Sequence, residues 1–113
     1  MKVSVRHRGS ATILDVEGQI TFESTPALRQ QILGALKEKG VVLINLTSVA
    51  YMDSSGIATL VEGLKESQSR KASYALFGLT KHTRSVMELV RLDKVFQIFD
   101  SEDDAVRQLS PSA

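Results

Sequence analysis

The chain has 113 residues, with 14 Lys and Arg against 13 Asp and Glu, and neither Cys nor Trp. This is the size of one domain; the missing cysteines exclude a disulfide scaffold, thiolate metal sites, iron–sulfur clusters and Cys-nucleophile chemistry. A net charge of +1 with interspersed signs leaves no footprint for nucleic acid or anionic lipid.

Residues 1–8 alternate polar and apolar side chains, unlike the continuous apolar stretch of a signal peptide. The longest apolar run, Val41 to Ile44, is far too short to span a bilayer. The expectation is a cytoplasmic domain with no membrane insertion.

Val3 and Val5 alternate with Ser4 and Arg6, and Thr12, Leu14 and Val16 alternate with Ile13 and Asp15. Between them, Gly9 suits the positive φ of a tight hairpin, so an antiparallel pair is predicted. Thr25-Pro26 reads as an N-cap followed by proline at the first helical position. Leu28, Ile32, Ala35 and Leu36 then fall on one helical stripe. Lys37 and Lys39 suit the negative helix end, and Gly40 stops the helix. Gly34 inside it costs about 1 kcal/mol relative to Ala, which predicts a compensating close contact.

Residues 41–46 are apolar without alternation until Asn45 and rich in β-branched side chains, the pattern of a strand buried on both faces. A second helix follows Ser54-Ser55-Gly56, with Ile57, Leu60, Val61 and Leu64 on one face. Ser73 to Phe77 reads as a strand. Thr80 opens a helix carrying Val86, Leu89 and Val90, and residues 95–99 read equally as a last strand or an extended edge segment. Ser101 with Asp104 resembles a capping box, and Glu102-Asp103-Asp104 suits the positive helix end. Ala105, Val106 and Leu109 supply that final helix's apolar side. The order ββαβαβαβα predicts an α/β fold: a mixed β-sheet with an N-terminal antiparallel hairpin, then parallel strands, and about four helices.

Strand ends entering helices are where open α/β sheets place their sites. Here that position holds Met52-Asp53-Ser54-Ser55-Gly56-Ile57. Ser54 or Ser55 is expected at or next to the N-cap, with a bare Gly56 letting a partner approach the hydroxyls. A phosphate there gains from the helix end's unpaired donors and adds about −1.5 to −2 charge units beside Asp53. On spacing alone the tetrapeptide Asp-Ser-Ser-Gly is ordinary capping punctuation.

The chain resembles the STAS domain of bacterial anti-sigma factor antagonists. The match consists of Met52-Asp53-Ser54-Ser55-Gly56-Ile57, with Gly18-Gln19-Ile20 upstream. It continues with Leu76-Phe77-Gly78-Leu79 and Leu92-Asp93-Lys94-Val95-Phe96 downstream. It runs from Val3 to Leu109, implying a single STAS domain over residues 1–113 with an ordered core from about 3 to 109 and a short tail.

The resemblance implies a partner switch. The unphosphorylated antagonist binds an anti-sigma factor that is also a serine kinase, releasing the sigma factor. The kinase phosphorylates the serine after the motif's aspartate, Ser54 here, and the complex dissociates until a PP2C-type phosphatase resets it. Thr21, Met52, Asp53, Ser55, Gly56 and Ile57 would form the partner surface. Family members usually carry an acidic residue where this chain has Thr21. A monomer or weak dimer fits equally.

Other readings find less support. Ser54 as a catalytic nucleophile needs a base, and chain order places neither His7 nor His82 beside it; the Gly-x-Ser-x-Gly elbow is also absent. A phosphoacceptor role for Asp53 needs an acidic pair and a late lysine, whereas Asp15 and Glu17 read as solvated. Oxygen ligands are too scattered for a metal, and no Gly-rich loop marks a nucleotide. Phe77, Phe96 and Phe99 read as core. The rival is a STAS domain docking on a transporter or other signalling complex through Ser54 or Thr59. Neither reading involves a cofactor or catalysis by the domain.

Overall fold

The N-terminal alternation folds as β1 (Lys2–Arg8) and β2 (Ala11–Ile20), paired antiparallel. Gly9 turns the hairpin at φ +60°, a left-handed value that favours glycine. The computed structural model describes residues 1–38 and 40–110. Lys39, expected to complement the first helix's end, lies outside the described residues, as does the tail from 111.

The remaining elements are α1 (Thr25–Leu36), β3 (Val41–Met52), α2 (Ser54–Ser69), β4 (Ser73–Phe77), α3 (Lys81–Leu89), β5 (Gln97–Phe99) and α4 (Glu102–Leu109). The five strands lie in sequence order across one sheet; β2 to β5 are mutually parallel. This is the predicted mixed α/β architecture.

The unalternating apolar run of β3 has a direct cause: both faces of the central sheet are covered. Val42, Ile44 and Leu46 join the larger core with Leu28, Ile32 and Leu36 of α1 and Leu60 of α2. Val41 and Leu43 face the other way, onto Ala105 and Val106 of α4 together with Ile13, Ala75 and Phe77. Each fully buried Leu or Ile contributes roughly 1.5–3 kcal/mol, so side-chain burial on both faces seats the strand.

Several expectations are corrected. The central strand does not end at Leu46 but continues to Met52. Its pairing with β4 stops at Asn45, while its pairing with β2 continues to Ile20 and Met52. The last strand starts at Gln97, after a turn, rather than at Val95. The first helix begins one residue early, with Ser24 at the N-cap position. Ser24 Oγ accepts the Thr21 N–H at 2.9 Å instead of capping the helix.

On α3 the buried residues are Thr83 and Met87, whereas Leu89 is 83% exposed. Val86 packs against the main core as expected, but Leu89 and Val90 do not join it, and Met87 takes the buried position instead. Gly34 has open space where a side chain would lie. The close approach occurs at Gly63 on α2, against Tyr74 and Ile32.

The acidic start of α4 does more than complement the helix dipole. Glu102 pairs with Arg6 and Arg8, and Asp103 pairs with Arg8, tying α4 to the edge strand. Asp15 is not simply solvated; it bonds Arg6 and accepts from Asn45 Nδ2 at 2.8 Å. The Arg6 hydrogen bonds are the main reason that both Asp15 and Glu102 are held below the usual carboxylate range.

Candidate functional site

The corner at the end of β3 is organised by one carboxylate. Asp53 leaves the strand with extended backbone (φ −97°, ψ −175°) and serves as the N-cap of α2. Its Oδ1 accepts the N–H groups of Ser55 at 2.9 Å and Gly56 at 3.2 Å, and the Ser55 hydroxyl also donates to it. Its Oδ2 accepts the Phe22 N–H at 3.2 Å from the β2–α1 loop. Asp53 N–H donates to Ile20 O at 3.1 Å, continuing the strand pairing. The Ser55 hydroxyl, followed by the Gly56, Phe22 and Ser55 amides, holds the Asp53 carboxyl below the usual carboxylate range.

This arrangement separates the two serines, which spacing alone left equivalent. Ser54 is the first residue of α2 and is exposed. Ser55 is half-buried, with its hydroxyl on Asp53. The cap is Asp53 rather than either serine, and Ser54 stands next to it. The Ser55 and Gly56 amides, expected to await a phosphate, are already bonded to Asp53. A phosphate on Ser54 would therefore project its charge outward beside an ionised carboxylate.

The other predicted contact residues divide by burial. Thr21 and Ile57 are half-buried, and Ile57 packs against the main core. Met52 is 2% exposed and lies in that core. Gly56 is buried; a methyl there would meet Met52 Cγ at 2.6 Å and Ile20 Cγ2 at 2.8 Å. Met52 and Gly56 thus support the corner from beneath rather than presenting side chains at its surface. Gly56 allows close packing inward, correcting the expectation of a bare outer turn. Thr59 is also buried, its hydroxyl donating to Ser55 O at 2.9 Å, and is no docking contact.

Two residues of this corner escaped the sequence reading. His82, on α3, accepts the Met52 N–H through Nε2 at 3.2 Å and stacks on Tyr51 with ring centroids 5.1 Å apart. Chain order did not place it there. The cause is the early end of β4: beyond it, β3 needs other partners, and Thr80 Oγ1 also reaches Val49 O at 3.4 Å. That imidazole lone pair is engaged by a backbone amide of the strand end. The second residue is Phe22, 78% exposed and joined to Asp53 through its backbone. Its position immediately after Thr21 was the available signal.

His7 is remote from this corner, on β1 at 3.3 Å from Glu38. Among the described residues no cluster of three or more Asp, Glu, His or Cys is arranged to hold a metal, and no helix is long and apolar enough to cross a membrane. A cavity of about 510 Å³ opens at the C-terminal ends of α1 and α2, lined by Lys37, Gly40, Arg70, Lys71 and Ser73 among others. It lies by the start of β3, opposite Ser54, and its cations complement two negative helix ends.

Comparison with known proteins is consistent with this geometry. An anti-sigma-B factor antagonist of Listeria monocytogenes is 27% identical over 106 residues, covering 92% of this chain and 93% of the relative. The solved anti-sigma factor antagonist of Mycobacterium paratuberculosis superposes with a TM-score of 0.88 at 23% identity, covering 96% of this chain and 92% of that one. Bacillus SpoIIAA in its phosphorylated form gives a TM-score of 0.74 at 16% identity, covering 95% of this chain and 98% of its own. The STAS domain model matches residues 2–105, nearly the whole described chain, and the protein belongs to the STAS domain family.

Proposed function

We propose that this protein is an anti-sigma factor antagonist, a binding switch of the cytoplasm with no catalysis of its own. Its unphosphorylated form binds an anti-sigma factor with serine kinase activity and frees the sigma factor held there. The kinase transfers a phosphoryl group to Ser54: the Oγ–P bond forms, the bond to ADP breaks, and the hydroxyl proton leaves to a base of the kinase. The added dianion stands beside Asp53 at the docking corner and ends the association. A PP2C-type phosphatase restores the hydroxyl.

The observation that carries this reading is the contrast between neighbouring serines, Ser54 exposed and Ser55 bonded to Asp53. The names of curated relatives from Listeria, Paenibacillus and Bacillus, which are anti-sigma factor antagonists, support the partner class. Thr21, Asp53, Ser55 and Ile57 frame the docking surface, with Met52 and Gly56 supporting it from inside.

Incubation with the anti-sigma factor kinase and ATP, followed by peptide mass spectrometry, should place the phosphate on Ser54. Ser54→Ala should bind the kinase and stay bound when ATP is added. Phosphate on Ser55 alone, or release of Ser54→Ala by ATP, would overturn the proposal.

A further inference from the structure

We propose that Phe22 is the apolar anchor on which the kinase that phosphorylates Ser54 seats; the inference rests on the reading of Ser54 given above. Phosphoryl transfer requires the kinase to bring the reacting phosphorus within about 3–3.5 Å of Ser54 Oγ. A protein approaching that closely covers the surrounding corner. Phe22 belongs to it, because its N–H is bonded at 3.2 Å to Asp53, the residue immediately before Ser54.

The ring is 78% exposed, yet the backbone beneath it is held firmly. Phe22 O accepts the Thr25 hydroxyl at 3.2 Å, and Thr21 N–H donates to Ser24 Oγ at 2.9 Å. Thr21 O accepts the amides of Ser24 at 2.9 Å and Thr25 at 3.0 Å. These bonds fix the loop before any partner arrives, so little ordering entropy is lost on docking. A rigidly mounted aromatic side chain with its ring in water has the profile of an interface hot spot. Leu89 is comparably exposed but sits at the C-terminal end of α3, whose opposite end meets the corner through His82.

The test is steady-state phosphorylation by the purified anti-sigma factor kinase that modifies Ser54, with Phe22→Ala and Phe22→Leu as substrates. Phe22→Ala should raise the KM for the domain about ten-fold or more and leave kcat within about two-fold. Phe22→Leu, keeping much of the apolar body, should recover most of the loss. Both variants should melt at the wild-type temperature.

An unchanged KM with Ser54 still phosphorylated would overturn the anchor and leave the switch intact. A marked fall in melting temperature for Phe22→Ala would overturn it too, because the ring would then be serving the fold. If no anti-sigma factor kinase modifies wild-type Ser54, the switch and the anchor fall together.

Discussion

Three helical glycines test the packing because one substitution should change sign with position. In α1, Gly34 has nothing within 4 Å of a built methyl group. Gly34→Ala should therefore gain the helix-propensity difference, about 1 kcal/mol, at no packing cost. In α2, a methyl on Gly63 would lie 2.5 Å from Tyr74 Oη and 2.8 Å from Ile32 Cγ2. Neither neighbour is a flexible tip: both are buried, and Tyr74 donates to Leu60 O at 3.0 Å. Overpacking of this kind costs about 1–3 kcal/mol, and subtracting the propensity gain leaves a net loss of up to about 2 kcal/mol. At about 4 °C per kcal/mol for a domain of this size, the two variants should straddle wild type by several degrees. Gly56→Ala should also fall below Gly34→Ala, with part of its clash relieved by the pliable Met52 side chain. Thermal melts and urea titrations monitored by circular dichroism measure the differences. Equal stabilisation by Gly34→Ala and Gly63→Ala would refute the seating of α2 against Tyr74 and Ile32.

Ser54→Asp should weaken kinase binding only partly, because a carboxylate carries less charge than a phosphate; unchanged affinity by titration calorimetry would defeat the electrostatic account. Ile57 is half-buried against the core. Ile57→Ala should accordingly lower stability by about 1–2 kcal/mol, less than the roughly 2–5 kcal/mol of a full core truncation. A negligible shift in the urea midpoint with lost partner affinity would make Ile57 a contact alone. Arg6 depresses the Asp15 and Glu102 carboxyls, so in this region the folded state binds fewer protons than the unfolded chain. That stabilisation is present above about pH 5 and is lost as pH falls through the lowered folded values. Discounted for solvent screening at a partly exposed arginine, Arg6→Ala should cost about 0.5–1 kcal/mol at pH 7. The gap to wild type should narrow as pH falls below the ordinary carboxylate range; denaturation curves with a constant gap would contradict the linkage.

The order of elements was legible because its causes are local. Gly9 permits the hairpin, Thr80 and Ser101 cap their helices, and the two-sided run from Val41 requires cover on both faces. The α1 stripe was legible for the same reason, since Leu28, Ile32, Ala35 and Leu36 are all buried. Periodicity failed on α3, where several apolar residues compete for one narrow buried stripe and tertiary fit chooses Met87 over Leu89.

The Asp-Ser-Ser-Gly stretch was visible as the place where a strand enters a helix, but its internal division of labour was not. Asp53 reaches Phe22 across 31 positions, and Met52 reaches His82 across 30. Parallel crossovers return the chain to the same end of the sheet after roughly that interval, so residues distant in sequence become neighbours there. Sequence alone determined which elements form, in what order, and which strand end carries the serines. Tertiary structure decided which hydroxyl faces water, which carboxylate caps the helix and which aromatic ring stands beside it. Those outcomes depend on hydrogen bonds between elements, and local residue preferences carry no record of them.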